Sequence, residues 1–222
     1  MNQQVFHLSK IILMNFFELE HVVFEVLGYP ISYTELIGTL FGLISVYFAS
    51  RANILTWSTG IVNEVFLFIL FFQVQLYADM FLQVYFFIVT LYGWYRWNTM
   101  TEKNEISVIN LQSRITLAIA ILIGALLSGF LFSNIHLYFP TYFKIKAAYP
   151  FIDSFVMVSS IIATVLLAKK KIENWYLWIV VDTICVVLYF KKGVLFLSLE
   201  YFIFLLLATY GFYHWKKQLN YD

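Results

Sequence analysis

Two short stretches of this chain carry residues that could do chemistry, Trp57-Ser-Thr-Gly-Ile-Val-Asn-Glu64 and Trp175-Tyr-Leu-Trp-Ile-Val-Val-Asp182. In the second, two indoles and a carboxylate at 175, 178 and 182 fall close to one stripe of a helix. A carboxylate inside an apolar helix is costly unless something uses it. Paired with an indole face, it suits a cationic or hydrogen-bonding organic solute, because aromatic rings attract cations. The two stretches are related by a constant offset, since 175 − 57 = 118 and 182 − 64 = 118. Two other readings stay open for Glu64 and Asp182. They could be neutralised by protonation or by neighbours such as Asn63 and Lys192, or they could couple transport to protons.

Further polar groups lie at comparable depth. Trp178 is a candidate stacking surface for a cationic ring, with Trp175 a second candidate, while Trp57 reads as structural. Asn63, Gln73, Gln75 and Gln83 are neutral amides that either glue membrane helices together or bind hydroxyls. Gln83 forms a helical stripe with Phe86, Phe87 and Thr90. Glu200 and Tyr201 occupy the matching depth near the end of the chain, Tyr201 falling on Gln83 at the same offset. There is no Gly-rich phosphate loop, no metal-ligand spacing and no nucleophile–base set. The expectation is no enzyme, no cofactor and no metal.

The elements that must hold these groups follow from composition. The chain has 222 residues, 62% hydrophobic, 21% aromatic and only 12% charged. Soluble domains are about half apolar and about a quarter charged, so the excess apolar surface must face lipid. A net charge of +1 gives no electrostatic case for nucleic acid. Cys185, the single cysteine, reads as a packing residue.

Seven apolar spans are predicted, near 33–50, 55–76, 80–97, 115–132, 151–168, 174–190 and 194–215. Each is about 17–22 residues, enough for a hydrocarbon core of about 30 Å. Helices are expected because they satisfy their own backbone groups in lipid. Residues 1–30 are expected to be an N-terminal amphipathic or extra membrane helix, closed by Gly28-Tyr-Pro30.

Sliding 35–97 over 153–215 needs no gap. Glu35 falls on Asp153, Arg51 on Lys169, Trp57 on Trp175 and Glu64 on Asp182, while Tyr92, Gly93, Tyr95 and Trp97 fall on Tyr210, Gly211, Tyr213 and Trp215. Chance matching of Leu, Ile and Phe does not produce paired acids, bases and glycines. The predicted fold is an all-α membrane protein of 3+1+3 design: a three-helix repeat over 31–98, a linker with the fourth span over 99–150, and a second repeat over 151–217. Because the offset spans an even number of crossings, the repeats are parallel, with a site expected between them near the midplane. Nine of the 14 Lys and Arg lie on one side and five on the other, which makes the C-terminus cytoplasmic by the positive-inside rule.

Taken together, Asn174-Trp-Tyr-Leu-Trp-Ile-Val-Val-Asp182, Gln73-Val-Gln-Leu-Tyr-Ala-Asp79, Leu82-Gln-Val-Tyr85 and Tyr92-Gly-Trp-Tyr-x-Trp97 resemble the PnuC family of bacterial vitamin transporters, from about residue 33 to 215. The resemblance implies a three-one-three helix plan like that of the SWEET sugar transporters and a place in the bacterial inner membrane. It implies facilitated diffusion of nicotinamide riboside, or in related members thiamine or riboflavin, followed by trapping through cytosolic phosphorylation. It also implies a homotrimer and substrate contacts at Asn63, Gln73, Gln83, Trp178, Asp182 and Tyr201. Glu64 departs from the pattern, since the nicotinamide riboside members carry an apolar residue there. The resulting expectation for the site is Asn63, Glu64, Gln73, Gln83, Trp175, Trp178, Asp182, Glu200 and Tyr201, with no partner beyond the vitamin, the bilayer and further copies of the chain.

Overall fold

The computed structural model describes residues 22–26, 28–73, 77–99, 105–140 and 147–219. The expected N-terminal helix is corrected where it can be seen. Residues Val22–Val26 form strand β1, paired antiparallel with β2, Tyr29–Ser32. Val-Val-Phe-Glu-Val is rich in β-branched and aromatic residues that favour a pleated strand over a helix. Gly28, at φ +79°, supplies the left-handed residue of the turn, a conformation glycine adopts without steric cost. The remainder of that expectation, residues 1–21 and 27, lies outside the described residues.

Among the described residues seven helices follow: α1 Tyr33–Ser50, α2 Leu55–Gln73, α3 Tyr77–Thr99, α4 Leu111–Tyr138, α5 Pro150–Ala168, α6 Glu173–Lys191 and α7 Leu195–Leu219. Their starts are marked locally. Ser32 caps α1 by accepting from the Glu35 N–H, Asn110 caps α4 by accepting from the Ser113 N–H, and Pro150 opens α5, as helix N-termini favour. Six of the seven are long and apolar enough to cross a membrane, making this a multi-pass membrane protein. The exception is α3. At 23 residues it has the length, but Gln83, Arg96 and its tyrosines and tryptophans make it less apolar than its neighbours. The fourth helix runs past its expected limits of 115–132 at both ends.

The offset of 118 recurs in the backbone. The starts of α2 and α6, and of α3 and α7, are 118 apart, as are the ends of α1 and α5. Both turns between these helices place a non-glycine residue in the left-handed region, Ala52 at φ 52° and Lys170 at φ 50°, an uncommon conformation for such residues. The bonds that close them also correspond. Ala52 N donates to Ala49 O at 2.9 Å, and Lys170 N to Leu167 O at 2.9 Å. Asn53 N reaches Phe48 O, and Lys171 N reaches Leu166 O, again at 2.9 Å.

Helix neighbours run α1–α2–α3–α5–α6–α7 and back to α1, while α4 packs on the outside against α5. The contacts of α3 with α5 and of α7 with α1 converge on four tryptophans near helix ends. Trp57 meets Trp97 edge-on at 5.1 Å, Trp97 lies 6.5 Å from Trp215, and Trp215 meets Trp175 edge-on at 5.5 Å. Gly93 and Gly211 make room for the outer pair. A Cβ at Gly93 would lie 2.3 Å from the Trp57 ring, and one at Gly211 2.6 Å from Trp175.

Part of the polar linker is docked. Ser107 pairs with Lys171 through backbone bonds in both directions, Ser107 N to Lys170 O and Ile172 N to Ser107 O, each 3.0 Å. Lys171 Nζ also donates to Ser107 Oγ at 2.7 Å. Glu173, at the start of α6, accepts from the Ile109 N–H and from Arg114 of α4, with Arg114 Nη2 at 2.8 Å.

Candidate functional site

Glu64 is the central residue of α2 and Asp182 that of α6, each nine residues from either end of its 19-residue helix (64 − 55 = 73 − 64 = 9; 182 − 173 = 191 − 182 = 9). At 1.5 Å per residue, each carboxylate lies about 13 Å from either helix end, deep in the hydrocarbon layer. Both are buried, with 7% and 3% of their surface exposed. The sequence offset has become an equivalence of depth.

Their surroundings differ. Glu64 Oε1 accepts a hydrogen bond from Thr90 Oγ1 of α3 at 2.5 Å, whereas Oε2 is enclosed with no partner among the described residues. One turn earlier, Gly60 opens the space: a Cβ there would sit 3.3 Å from Ser45 Oγ and 3.8 Å from Glu64 Oε1. The residue 118 positions after Gly60 is Trp178 (60 + 118), and the residue 118 after Thr90 is Ala208 (90 + 118). Asp182 therefore has a half-buried indole one turn away where Glu64 has a glycine. Among the described residues, no hydrogen bond or ion pair reaches Asp182. Lys192, one of its expected neutralisers, instead pairs with Asp153 at 3.6 Å and lies over the rings of Tyr149 and Tyr189.

Tyr201 of α7 lies within electrostatic reach of Asp182, and Cys185 within reach of both. Its ring stacks on Tyr189 at 5.3 Å and meets Phe204 at 6.1 Å. Phe204 in turn approaches Gly42 of α1, where an added Cβ would be 3.6 Å from the Phe204 ring and 2.9 Å from Asn63 Nδ2. Three helices thus cross at Gly42. Gln83 is buried on α3, 7% exposed, with no hydrogen bond to another described residue.

Other expected site residues are placed differently. Asn63 donates through Nδ2 to the Gly38 carbonyl at 2.8 Å, so its amide clamps α2 to α1. Trp175 is 1% exposed and wedged against Gly211 and Trp215, so it fills the core rather than facing a ligand. Gln73 closes α2 at the far end from Trp57. Glu200 is not beside Asp182 but faces Thr39 and Glu35 of α1. That group was missed by sequence reasoning. It gathers at the hairpin, where the Tyr29 ring stacks on Phe196 of α7 at 5.5 Å and 3°. Burial first, and then the Glu35 carboxylate, push the Tyr29 phenol up to about 12. The signal available was Glu35 at helix position three and Tyr29 six residues before it, but their meeting depends on the hairpin turning back. Glu64 and Asp182 have no direct contact with each other. Glu64 is coordinated by α3 and Asp182 faces α7. No cluster of His, Cys, Asp and Glu among the described residues could hold a metal ion.

Residues 32–217 match the family described as nicotinamide mononucleotide transporter. The chain is 33% identical to the nicotinamide riboside transporter PnuC of Escherichia coli (strain K12), covering 91% of this chain and 94% of that one. It is 27% identical to the riboflavin/roseoflavin transporter RibM of Streptomyces davaonensis, covering 83% and 85% respectively. Its fold resembles the crystal structure of the vitamin B3 transporter PnuC, with a TM-score of 0.63 at 22% identity, covering 83% of this chain and 81% of that one. With most of its length matched by the family model and by a relative a third identical, this chain belongs to the nicotinamide mononucleotide transporter family, that of the PnuC proteins.

Proposed function

We propose that this chain lets a flat, cationic B-vitamin nucleoside cross the bacterial inner membrane by facilitated diffusion, with nicotinamide riboside the first candidate and cytosolic phosphorylation trapping it inside. The observation that carries this reading is Asp182: a carboxylate at the centre of a membrane helix, buried, with no cation or hydrogen-bond donor among the described residues, and one turn from the Trp178 indole. Such an acid is stabilised by an arriving cation, and an indole face adds attraction for a cationic ring. Tyr201 and Gln83 are the remaining groups assigned to the site, with Glu64 on its opposite side. A thiamine substrate is the second reading. It is favoured by Glu64, whose second carboxylate oxygen has no partner among the described residues and suits the amino group of a pyrimidine.

The transporter works, on this proposal, as two parallel triplets, α1–α3 and α5–α7, with α4 between them in sequence, a cytoplasmic C-terminus and assembly as a trimer. The matched helix boundaries, left-handed turn residues and tryptophan–glycine pairs support the duplication. Uptake into proteoliposomes containing only this chain tests the function. Labelled nicotinamide riboside should enter faster than into empty vesicles and should be competed by unlabelled substrate. Entry no faster than into empty vesicles, for both vitamins, would end the transport reading.

A further inference from the structure

Five residues of α6 and its cap, Trp178, Asp182, Cys185, Tyr189 and Lys192, recur at steps of four, three, four and three. That spacing sets them along one stripe of the helix, with Lys192 about 15 Å beyond Asp182 along the axis. The stripe runs from the central acid to the end of the bundle opposite the four tryptophans, since Trp175 lies in the first turn of α6 and Lys192 follows its last residue. Contacts agree with this placement. Cys185 lies within electrostatic reach of Asp182 on one side and of Asp153 and Lys192 on the other, and the Tyr189 ring stacks on Tyr201 at 5.3 Å.

At that end the stripe meets a cage for a cation. The Lys192 ammonium stands 5.5 Å from the Tyr189 ring centre, 5.6 Å from that of Tyr149, and 3.6 Å from Oδ1 of Asp153 in the first turn of α5. Two ring faces and a carboxylate around one positive charge are the elements of an organic-cation site. The occupant is held loosely. Its 3.6 Å separation from the acid exceeds that of a charge-assisted hydrogen bond, and the two side chains are 32% and 46% exposed, where an ion pair contributes little. An ammonium is also strongly hydrated, so on leaving it regains its water. A flat ring cation spreads its charge, holds water less tightly and lies along a tyrosine face. Glu35, 118 positions before Asp153, presents no such cage: it is 8% exposed and lies beside Tyr29 of the hairpin.

We infer that Tyr149, Tyr189 and Asp153 form a receiving site for an organic cation whose charge is spread over a flat ring, and that Lys192 is a tethered stand-in which the arriving cation displaces. The site rests on the transport reading for its purpose: the cation is taken first at the end of the bundle, and the Tyr189–Tyr201 stack lies between it and Asp182. Lys192 competes from a short tether, hence at high effective concentration. It therefore raises the amount of solute needed, and it rejects cations that bind the two rings no better than an ammonium does.

Lysine-directed NMR tests the displacement without transport. The lysines of the full-length protein in detergent are reductively dimethylated with isotope-labelled formaldehyde, which keeps their charge. The Lys192 methyl signal, assigned as the one missing from Lys192→Arg, should be shifted upfield by the two rings. Adding N-methylpyridinium through the millimolar range should move it toward the signals of exposed lysines, and equal sodium chloride should not. A signal that stays in place, or moves as far with sodium chloride, would overturn the inference. Uptake then tests the consequence. Lys192→Met should lower the half-saturating concentration of labelled nicotinamide riboside by up to about fivefold, the worth of an exposed ion pair. Asp153→Asn should raise it by about as much, each with little change in maximal rate. If the pair merely clamps α5 to α6, Lys192→Met would instead lower the maximal rate and the unfolding temperature together, and that pattern would refute the receiving site. A parent protein whose Lys192 signal moves but which carries no vitamin would leave the receiving site standing and end the transport reading.

Discussion

Trp97 and Trp215, 118 residues apart, make matching hydrogen bonds: Trp97 Nε1 donates to Ala168 O of α5, and Trp215 Nε1 to Ala49 O of α1, both at 3.1 Å. The last tryptophan of α3 thus reaches the end of α5, and the last tryptophan of α7 the end of α1. Both indoles are enclosed, Trp215 wholly. Lys170 lies over the Trp97 ring at 4.6 Å, a contact its counterpart Ala52 cannot supply.

Trp97→Phe and Trp215→Phe should each lower stability by about 1 kcal/mol for the lost hydrogen bond, and by more if the ring repacks. With the rings 6.5 Å apart, the double variant should depart from additivity, as contacting residues do. Thermal unfolding in detergent for the four members of the cycle measures this. Strictly additive losses would show that the two bonds are independent.

Gly93→Ala and Gly211→Ala should each destabilise by about 1–3 kcal/mol, the usual cost of overpacking, because the added methyl meets a tryptophan ring rather than a flexible chain end. Gly42→Ala is expected to act at the site as well, by pushing on Asn63 Nδ2 and Phe204. Its uptake should fall further than its unfolding temperature alone explains, and a matched pair of uptake and melting measurements separates the two.

Asp182→Asn should weaken uptake of a cationic vitamin by at least tenfold, since the buried charge that answers the cation is removed. Trp178→Ala should cost less, about 0.5–2 kcal/mol in substrate affinity, and Trp178→Phe less again. Binding titrations of purified protein rank the three. An Asp182→Asn protein that binds as tightly as the parent would remove the counter-charge role.

The hairpin should be sensitive to alkali. The Tyr29 phenol titrates near 12 when folded against an ordinary value of 10, so the folded form holds its proton more tightly than the unfolded chain does. By linkage, that stabilisation is complete below pH 10 and is lost as the pH rises from 10 through 12. Tyr29→Phe should flatten this loss. Monitoring unfolding across that range for parent and variant checks the sign.

Removing one partner of the linker clasp should loosen α4. Glu173→Ala leaves the Ile109 N–H and the Arg114 guanidinium unpaired and should cost about 1–3 kcal/mol. Arg114→Ala should cost less, because that side chain is half exposed and water replaces its partner. Faster hydrogen exchange at 105–110 is the local readout.

Much of this was legible in the sequence because charged and aromatic residues are scarce in a membrane chain, so their spacing stands out. The depth of Glu64 and Asp182 followed from helix limits set by Arg51, Lys169 and Lys191. The role of Trp175 did not follow, although its cue was present: tryptophan and glycine recur 36 residues apart twice, Trp57 with Gly93 and Trp175 with Gly211. Reading that cue requires knowing that the helices between them fold back by one full span. Asn63 looked like a ligand because an amide in lipid needs a partner. The partner is the Gly38 carbonyl, exposed only because glycines let α1 and α2 approach closely. The strand at 22–26 was obscured by Glu and His residues around it that mimic an amphipathic helix, while its β-branched residues were the better guide.

Four of the six tryptophans sit in one contact chain, 57–97–215–175, that straddles the joint between the halves. At ring separations of 5–7 Å their excited states exchange energy, so the joint carries its own optical gauge. With Trp94 and Trp178 replaced by phenylalanine, the remaining emission and its polarisation would come from this joint alone. Any parting of the triplets while a solute passes would register there without an added dye.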